Sequence, residues 1–489
     1  MQFNRKSVGF FTGLILFIFI LFFTDLDSMR PLVSPALAVA VLMAVWWITE
    51  ALPLAVTALI PLVLFPILGI IPGKSIATSY MNQIIFVYMG GFMVALAMEK
   101  WNLHKRIALK IMTWVGLGPG KILLGFMLAT AFLSMWISNT ASTMMMLPII
   151  LSVISQLEKN IPSKSAGKYA TGLLLAVAYS SSVGGITTLV GSPTNLVYPQ
   201  QMQALFPDLP IITFTEWIGI AAPISLSMFI LVFVVIYSLF VPRQKFRGLE
   251  EGYFQKEYTA LGKASYEEKA VLILFILLAA LWTFRSGIKF DRFTINGWGS
   301  LFHNSSYLND ATAAMFIAIL LFIIPSSKKN GSKLMDWKTA QKLPWDIVLL
   351  FGGGFALASG FQSSGLAVWM GEQLEWTGNA GPYIVLLAIL TLMVFLTELT
   401  SNVASIQMLL PVFAALAVSS GSNPVLLMFP ATLASSMAFM LPTATPPNAI
   451  VYGSHRIEIS SMVRTGFILN ILAICVILIY SWMFDGKLV

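Results

Sequence analysis

Charge is scarce in this chain. Of 489 residues only 10% are Asp, Glu, Lys or Arg, against about 25% in a soluble domain. Hydrophobic residues make up 57%, and the mean hydropathy is +0.84. These values exclude a soluble globular protein, a disordered chain and a nucleic-acid binder. Cysteine is almost absent: the single Cys475 lies in a late apolar run, which excludes a disulfide framework and a thiolate metal site. It is expected to be a small buried hydrophobe. The three histidines, His104, His303 and His455, have no partner at metal-ligand spacing.

Long apolar runs, in contrast, are abundant. They fall at 8–24, 34–51, 53–72, 80–99, 122–154, 170–200, 216–241, 268–284, 310–324, 346–366, 382–418, 422–450 and 460–484. Many reach the ~20 residues that carry a helix across ~30 Å of hydrocarbon. Solid runs of this length exclude a β-barrel, whose strands alternate over ~10 residues. The chain reads as an all-α polytopic membrane protein. The first run follows Arg5 and Lys6 and ends in Thr24-Asp25-Leu26-Asp27 without a small-residue cleavage site. It is expected to be an uncleaved helix.

Two runs are broken by polar clusters: Ser138-Asn139-Thr140 in 122–154, and Thr400-Ser401-Asn402 in 382–418. A run of that length with a polar waist reads as two half-spans meeting at a tip, a re-entrant hairpin. Eleven full spans then remain. With the N-terminus inside, only Arg30, Lys74, Arg285, Lys289, Arg292 and Lys487 of the 29 Lys+Arg fall outside. This asymmetry supports a cytoplasmic N-terminus and an outer C-terminus.

The halves repeat. Leu133–Pro148 aligns without gaps on Leu396–Pro411, an offset that also superposes Gly90-Gly91-Phe92 on Gly353-Gly354-Phe355. Gly191-Ser192-Pro193-Thr194-Asn195 matches Ala444-Thr445-Pro446-Pro447-Asn448. Each half thus holds a Gly-Gly helix, a hairpin with a Ser-Asn tip and a span broken by Pro and Asn, in inverted orientation. Such repeats mark secondary transporters with a midplane site. The Gly-Gly pairs read as helix-packing positions.

Each break frees backbone groups that lipid cannot satisfy. Carbonyls with Ser, Thr and Asn oxygens suit a small cation such as Na⁺. Helix N-termini and Asn amides suit a carboxylate. No Lys or Arg lies within 122–154, 172–200, 382–418 or 425–450, so an anion there would need a co-bound cation. Glu50 and Glu398 are near-membrane acids, read as capping or pairing groups near span ends, with a proton relay as the alternative. Trp101 to Trp114 reads as an interfacial amphipathic helix.

The paired tips Ser138-Asn139-Thr140 and Ser401-Asn402-Val403, with the two Pro-Asn breaks, resemble the motifs of the divalent anion/sodium symporter family. The resemblance covers nearly the whole chain. It implies a homodimer in the lipid bilayer, moving by an elevator between scaffold and transport domains. It divides the chain into 1–120 and 267–370 (scaffold), 121–241 and 371–489 (transport) and a cytoplasmic linker, 242–266. It implies Na⁺-coupled symport of succinate, malate or fumarate, with Na⁺ as the co-transported ion and no organic cofactor. By motif, one Na⁺ site would use Ser134, Ser138, Asn139 and Gly191, and the other Thr397, Ser401, Asn402 and Ala444. The substrate would meet Asn139, Thr140, Ser192, Asn402, Val403, Thr445 and Pro446. Val403 departs from the plain motif, which has Thr, and removes one hydroxyl. A citrate or sulfate carrier, or an exchanger of the same family, is the alternative. An intramembrane Ser protease would need a His base in the membrane, and a zinc protease a His-Glu-x-x-His pattern; both are lacking. A channel fits paired hairpins less well than alternating access. A bacterial inner membrane is the expected location.

Overall fold

The computed structural model describes residues 5–116, 118–160, 163–242, 252–286, 288–289, 294–328, 331–374 and 381–484. The architecture is helical throughout, save two-residue strands at Ile288–Lys289 and Thr294–Ile295, which pair antiparallel. Helix is what a bilayer demands, because a helix satisfies its own backbone groups. Among the described residues, seven helices are long and apolar enough to cross a membrane, and shorter apolar helices accompany them.

Every apolar run of the sequence finds a helix or a pair of helices. Run 53–72, expected as one span, is instead split into Leu54–Thr57 and Ile60–Ile67. Its prolines are the cause. Pro53 caps the first piece, Pro61 opens the second and Pro66 lies inside it, and proline has no N–H to continue a helix. The amphipathic segment forms the helix Leu103–Val115, which turns Leu103, Ala108, Leu109 and Met112 inward. Of the 242–266 linker, 243–251 lies outside the described residues; the rest holds a helix, Tyr253–Ala260, that packs on Leu103–Val115. Arg106 of Leu103–Val115 also donates to Gly262 O at 3.0 Å, just past Tyr253–Ala260, and to Glu268 at 2.7 Å. Of the charged positions used for orientation, Arg243, Lys245, Arg247, Arg292, Lys329 and Lys487 also lie outside the described residues. Cys475 is exposed, not buried as expected. It sits opposite the face of Ile459–Met483 that buries Ala473, Ile474 and Ile477.

The first hairpin has arms Pro119–Ser134 and Asn139–Asn160; the second has Pro382–Leu396 and Asn402–Ser419. Proline opens the first arm of each, where its missing N–H costs nothing. The broken spans are Ser163–Gly185 with Pro193–Leu205, and Pro424–Ala434 with Pro446–Tyr452. Small residues let these elements close. A Cβ on Gly184 would stand 2.4 Å from Ala131 O, so the first broken span lies against the first hairpin arm. The Gly-Gly helices pack closely, as expected: a Cβ on Gly90 would meet Ala314 at 2.6 Å, and one on Gly353 would meet Ala58 O at 2.5 Å.

The halves are interlocked. Pro193–Leu205 packs on the second hairpin's arm Asn402–Ser419, and Pro446–Tyr452 packs on the first hairpin's arm Asn139–Asn160. The second arm of each hairpin therefore meets a short helix from the other half.

Candidate functional site

The first tip is built from the end of one arm and the start of the next. Ser134 is fully buried at the end of its helix. Its hydroxyl lies 2.6 Å from Asn139 Oδ1 and 2.7 Å from the carbonyl of Ser181, on the broken span. Gly191 comes from beyond the break. A Cβ there would stand 2.5 Å from Gly185 O, 2.8 Å from Ser134 O and 3.0 Å from Met135 O. Three carbonyls thus crowd a position that only glycine fills.

The second tip repeats the arrangement with different side chains. Thr397, fully buried, places its hydroxyl 2.5 Å from Asn402 Oδ1 and 2.8 Å from the carbonyl of Ser435. In each tip one hydroxyl faces two acceptors and has one hydrogen to give. Each centre therefore holds more oxygen lone pairs than protons. The Asn139 amide sharpens the point. Turned end for end, its nitrogen would donate to Ser134 Oγ at 2.6 Å, Ser181 O at 3.1 Å and Gly191 O at 3.3 Å. In that orientation the amide itself satisfies the three oxygens; with its oxygen inward, four oxygens would face one another, a donor set that suits a small cation.

Two asparagines staple the breaks. Asn195 Nδ2 donates to Gly185 O at 2.8 Å and Thr188 O at 2.7 Å. Asn448 Nδ2 donates to Ala438 O at 3.2 Å and Leu441 O at 3.0 Å. Both side chains are fully buried. They satisfy carbonyls that the interrupted helices leave open.

Of the residues singled out in the sequence, Ser134, Asn139 and Gly191 come together at one tip, and Thr397 and Asn402 at the other. Ser138 turns its hydroxyl away, accepting from Ala141 N at 3.2 Å as a helix cap. Ser401 caps its helix with no side-chain bond, and its carbonyl accepts from Ser405 N at 2.9 Å. Ser192 and Thr445 occupy matching cap positions before the second half-helices, both buried. Thr445 accepts from Asn448 N at 3.3 Å, whereas Ser192 pairs with Thr194 at 2.8 Å. Thr194 in turn meets Ser436 at 2.7 Å, which joins the two broken spans. Thr140 and Val403 are half-buried, Ala444 is buried and Pro446 is exposed.

Other residues carry no such signal in the sequence. The carbonyls of Ser181 and Ser435 complete the oxygen clusters, and only the buried serine runs 180–182 and 435–436 hint at them. Gln200, Gln201 and Gln407, all fully buried, form a chain in which Gln201 Nε2 donates to Gln407 Oε1 at 3.0 Å and Gln407 Nε2 to Gln200 Oε1 at 3.1 Å. Gln201 also donates to Gly354 O at 3.2 Å. Glu398 does cap backbone groups, as expected, but deep at the second break and not near a span end. It is 3% exposed and accepts from Phe439 N, Met440 N and Leu441 N at 2.7, 2.9 and 3.0 Å. Glu50 is exposed, at the left-handed end of Val33–Thr49.

Paired hairpins and paired broken spans, closing on two oxygen clusters free of fixed cations, define a membrane transporter with discontinuous helices. The chain belongs to the sodium:sulfate symporter family, the divalent anion/sodium symporters; the model of that family's transmembrane region matches residues 4–488. It is thus an integral membrane transporter and not an enzyme. It is 41% identical over 480 residues to a sodium-dependent dicarboxylate transporter of Staphylococcus saprophyticus, an alignment covering 97% of this chain and 90% of that protein. The corresponding transporter of Staphylococcus aureus is 39% identical over the same coverage. In fold, the chain resembles the Alcanivorax borkumensis YdaH transporter, with a TM-score of 0.57 at 14% identity over 93% of this chain and 98% of that one.

Proposed function

We propose that this protein carries C4-dicarboxylates such as succinate across a bacterial plasma membrane together with Na⁺. The observation that carries the reading is the excess of oxygen acceptors at the second tip, where the one proton of Thr397 Oγ1 lies between Asn402 Oδ1 and Ser435 O, in an arrangement of residues that the first tip repeats. Two relatives of nearly full length, both named as sodium-dependent dicarboxylate transporters, support it.

In this reading the first Na⁺ is held by Ser134 Oγ, Asn139 Oδ1 and the carbonyls of Ser138, Ser181 and Gly191. The second is held by Thr397 Oγ1, Asn402 Oδ1 and the carbonyls of Ser401, Ser435 and Ala444. With the cations in place, the substrate carboxylates meet the amides of Asn139 and Asn402, the hydroxyls of Thr140, Ser192 and Thr445, and the backbone at Val403 and Pro446. Each bound Na⁺ turns its asparagine oxygen inward and so presents the amide N–H₂ to the anion. Cation binding thereby creates the anion site, which has no Lys or Arg of its own.

Segments 121–241 and 371–489 form the moving unit, 1–120 and 267–370 the fixed one, and two chains form the dimer. The N-terminus lies in the cytoplasm and the C-terminus outside. The test is thermal unfolding of purified protein with succinate, in Na⁺ or in choline. Succinate raising the melting temperature in Na⁺ alone supports the reading, because only a bound ligand stabilises. Equal stabilisation in both salts, or stabilisation by citrate or sulfate but not succinate, contradicts it.

A further inference from the structure

The two tips are not electrostatic equals. Glu398 follows Thr397 directly, and its repeat mate is Met135. Its Oε1 accepts from Phe439 N at 2.7 Å, Met440 N at 2.9 Å and Asn470 Nδ2 at 2.8 Å, and its Oε2 accepts from Leu441 N at 3.0 Å. All four contacts are donors, the set that an ionised carboxylate accepts. No Lys or Arg lies in 382–418 or 425–450 to neutralise it.

The first half holds its break by other means. There Thr188 donates its hydroxyl to Met135 O and accepts from Gly191 N at 3.2 Å. A neutral hydroxyl does the work that a charged carboxylate does in the second half. Two buried amide oxygens add negative partial charge at the second break. The amide oxygens of Asn448 and Asn470 are buried and without a hydrogen-bond partner among the described residues. Both are fixed in direction, since Asn470 must turn its nitrogen to the carboxylate and Asn448 turns its nitrogen to two carbonyls. The turn they surround, 438–441, is further held by Tyr179, which donates to Phe439 O at 2.8 Å, and by Gly466, where a Cβ would stand 2.3 Å from the same carbonyl.

We propose that Glu398 is a charged positioning residue for the second centre: it fixes the turn 439–441 against the hairpin tip and makes that centre bind Na⁺ more tightly than the first. The inference rests on reading the two oxygen clusters as cation sites. A uniform negative charge one residue from Thr397 favours a cation there, and the first tip has none: no charged residue occurs between Lys121 and Glu158. The second centre therefore fills first.

The test is equilibrium binding of radioactive Na⁺ to the purified full-length protein. Wild type is expected to fill in two steps about tenfold apart. Thr397→Ala is expected to remove the tighter step and Ser134→Ala the weaker one. Glu398→Gln is expected to raise the tighter half-saturation about tenfold, with succinate half-saturation at high Na⁺ changed less than about twofold. Glu398→Asp, which keeps the charge, is expected to recover most of the loss. Equal steps in wild type, loss of the tighter step in Ser134→Ala, or an unchanged Glu398→Gln isotherm would overturn the proposal. Should Glu398→Gln fail to fold, the two hydroxyl variants still decide which centre fills first, and a second centre that is not the tighter one overturns the proposal. Wild type that binds no Na⁺ at all would instead remove the cation reading on which the proposal stands.

Discussion

Thr397 holds one proton between Asn402 Oδ1 and Ser435 O, and Ser134 stands in the matching place between Asn139 and Ser181 O, so the chemistry of the candidate site is set residue by residue. Gly191 shows how tightly. Its missing side chain leaves room for three carbonyls within 3.0 Å of where a Cβ would stand. Gly191→Ala is expected to abolish Na⁺-dependent uptake and to lower stability by about 2 kcal/mol, as overpacking does; uptake and melting curves check both. Val403 is the residue at which substrate choice is most exposed. It is half-buried and packs against apolar neighbours of both clusters. Val403→Thr adds a hydroxyl where the proposed substrate lies. The half-saturation concentration for succinate is expected to fall several-fold, at a stability cost of about 1 kcal/mol. Radiolabelled uptake across a concentration series reads the first, thermal unfolding the second. An unchanged half-saturation would place the Val403 side chain outside the substrate's reach.

The elements follow from punctuation that is written in the sequence. Pro119 and Pro382 open the hairpins, and Pro193 and Pro446 open the second half-helices. Because the same marks recur at matching spacing in both halves, the hairpins and breaks are legible in the residue pattern itself. The helix split at 58–59 is less legible, since an apolar run with prolines at 53, 61 and 66 still reads as one hydrophobic stretch. The candidate site is legible in part: Ser134, Asn139 and Gly191 lie together at one tip, and Thr397 and Asn402 at the other. It is not legible where backbone carries it. The carbonyls of Ser181 and Ser435 have no residue signature, and nothing local distinguishes Ser138, whose hydroxyl caps its own helix, from a ligand. Nor does a sequence show that a carboxylate beside a tip turns inward to a distant turn, as Glu398 does. Asn195 binds the first break together. Asn195→Ala leaves Gly185 O and Thr188 O without that donor and is expected to cost about 2–3 kcal/mol, from two lost bonds at a buried site. A melting temperature within a degree of wild type would mean that the break is held by other contacts.

At the scale of the whole molecule, the buried glutamines stand where the proposed transport and scaffold segments meet. Gln201 and Gln407 belong to the proposed moving unit, and Gly354 to the fixed one. They touch through Gln201 Nε2 and Gly354 O at 3.2 Å, and a Cβ on Gly354 would stand 1.7 Å from Gln407 Oε1. The proposed elevator would separate these groups in every cycle, whereas the proposed ion and substrate centres would travel intact. Gly354→Ala is therefore expected to slow maximal uptake by tenfold or more while leaving succinate affinity within about threefold of wild type. Equal loss of both would instead place this contact in the binding site.

The most direct measurement is succinate uptake into proteoliposomes that contain the purified protein, driven by an inward Na⁺ gradient with no succinate inside. Na⁺-coupled symport predicts accumulation above the external concentration, collapse of that accumulation when choline replaces Na⁺, and its loss in Asn139→Ala and Asn402→Ala. Uptake that requires preloaded succinate and ignores Na⁺ would contradict it, and the two oxygen clusters would then need another occupant.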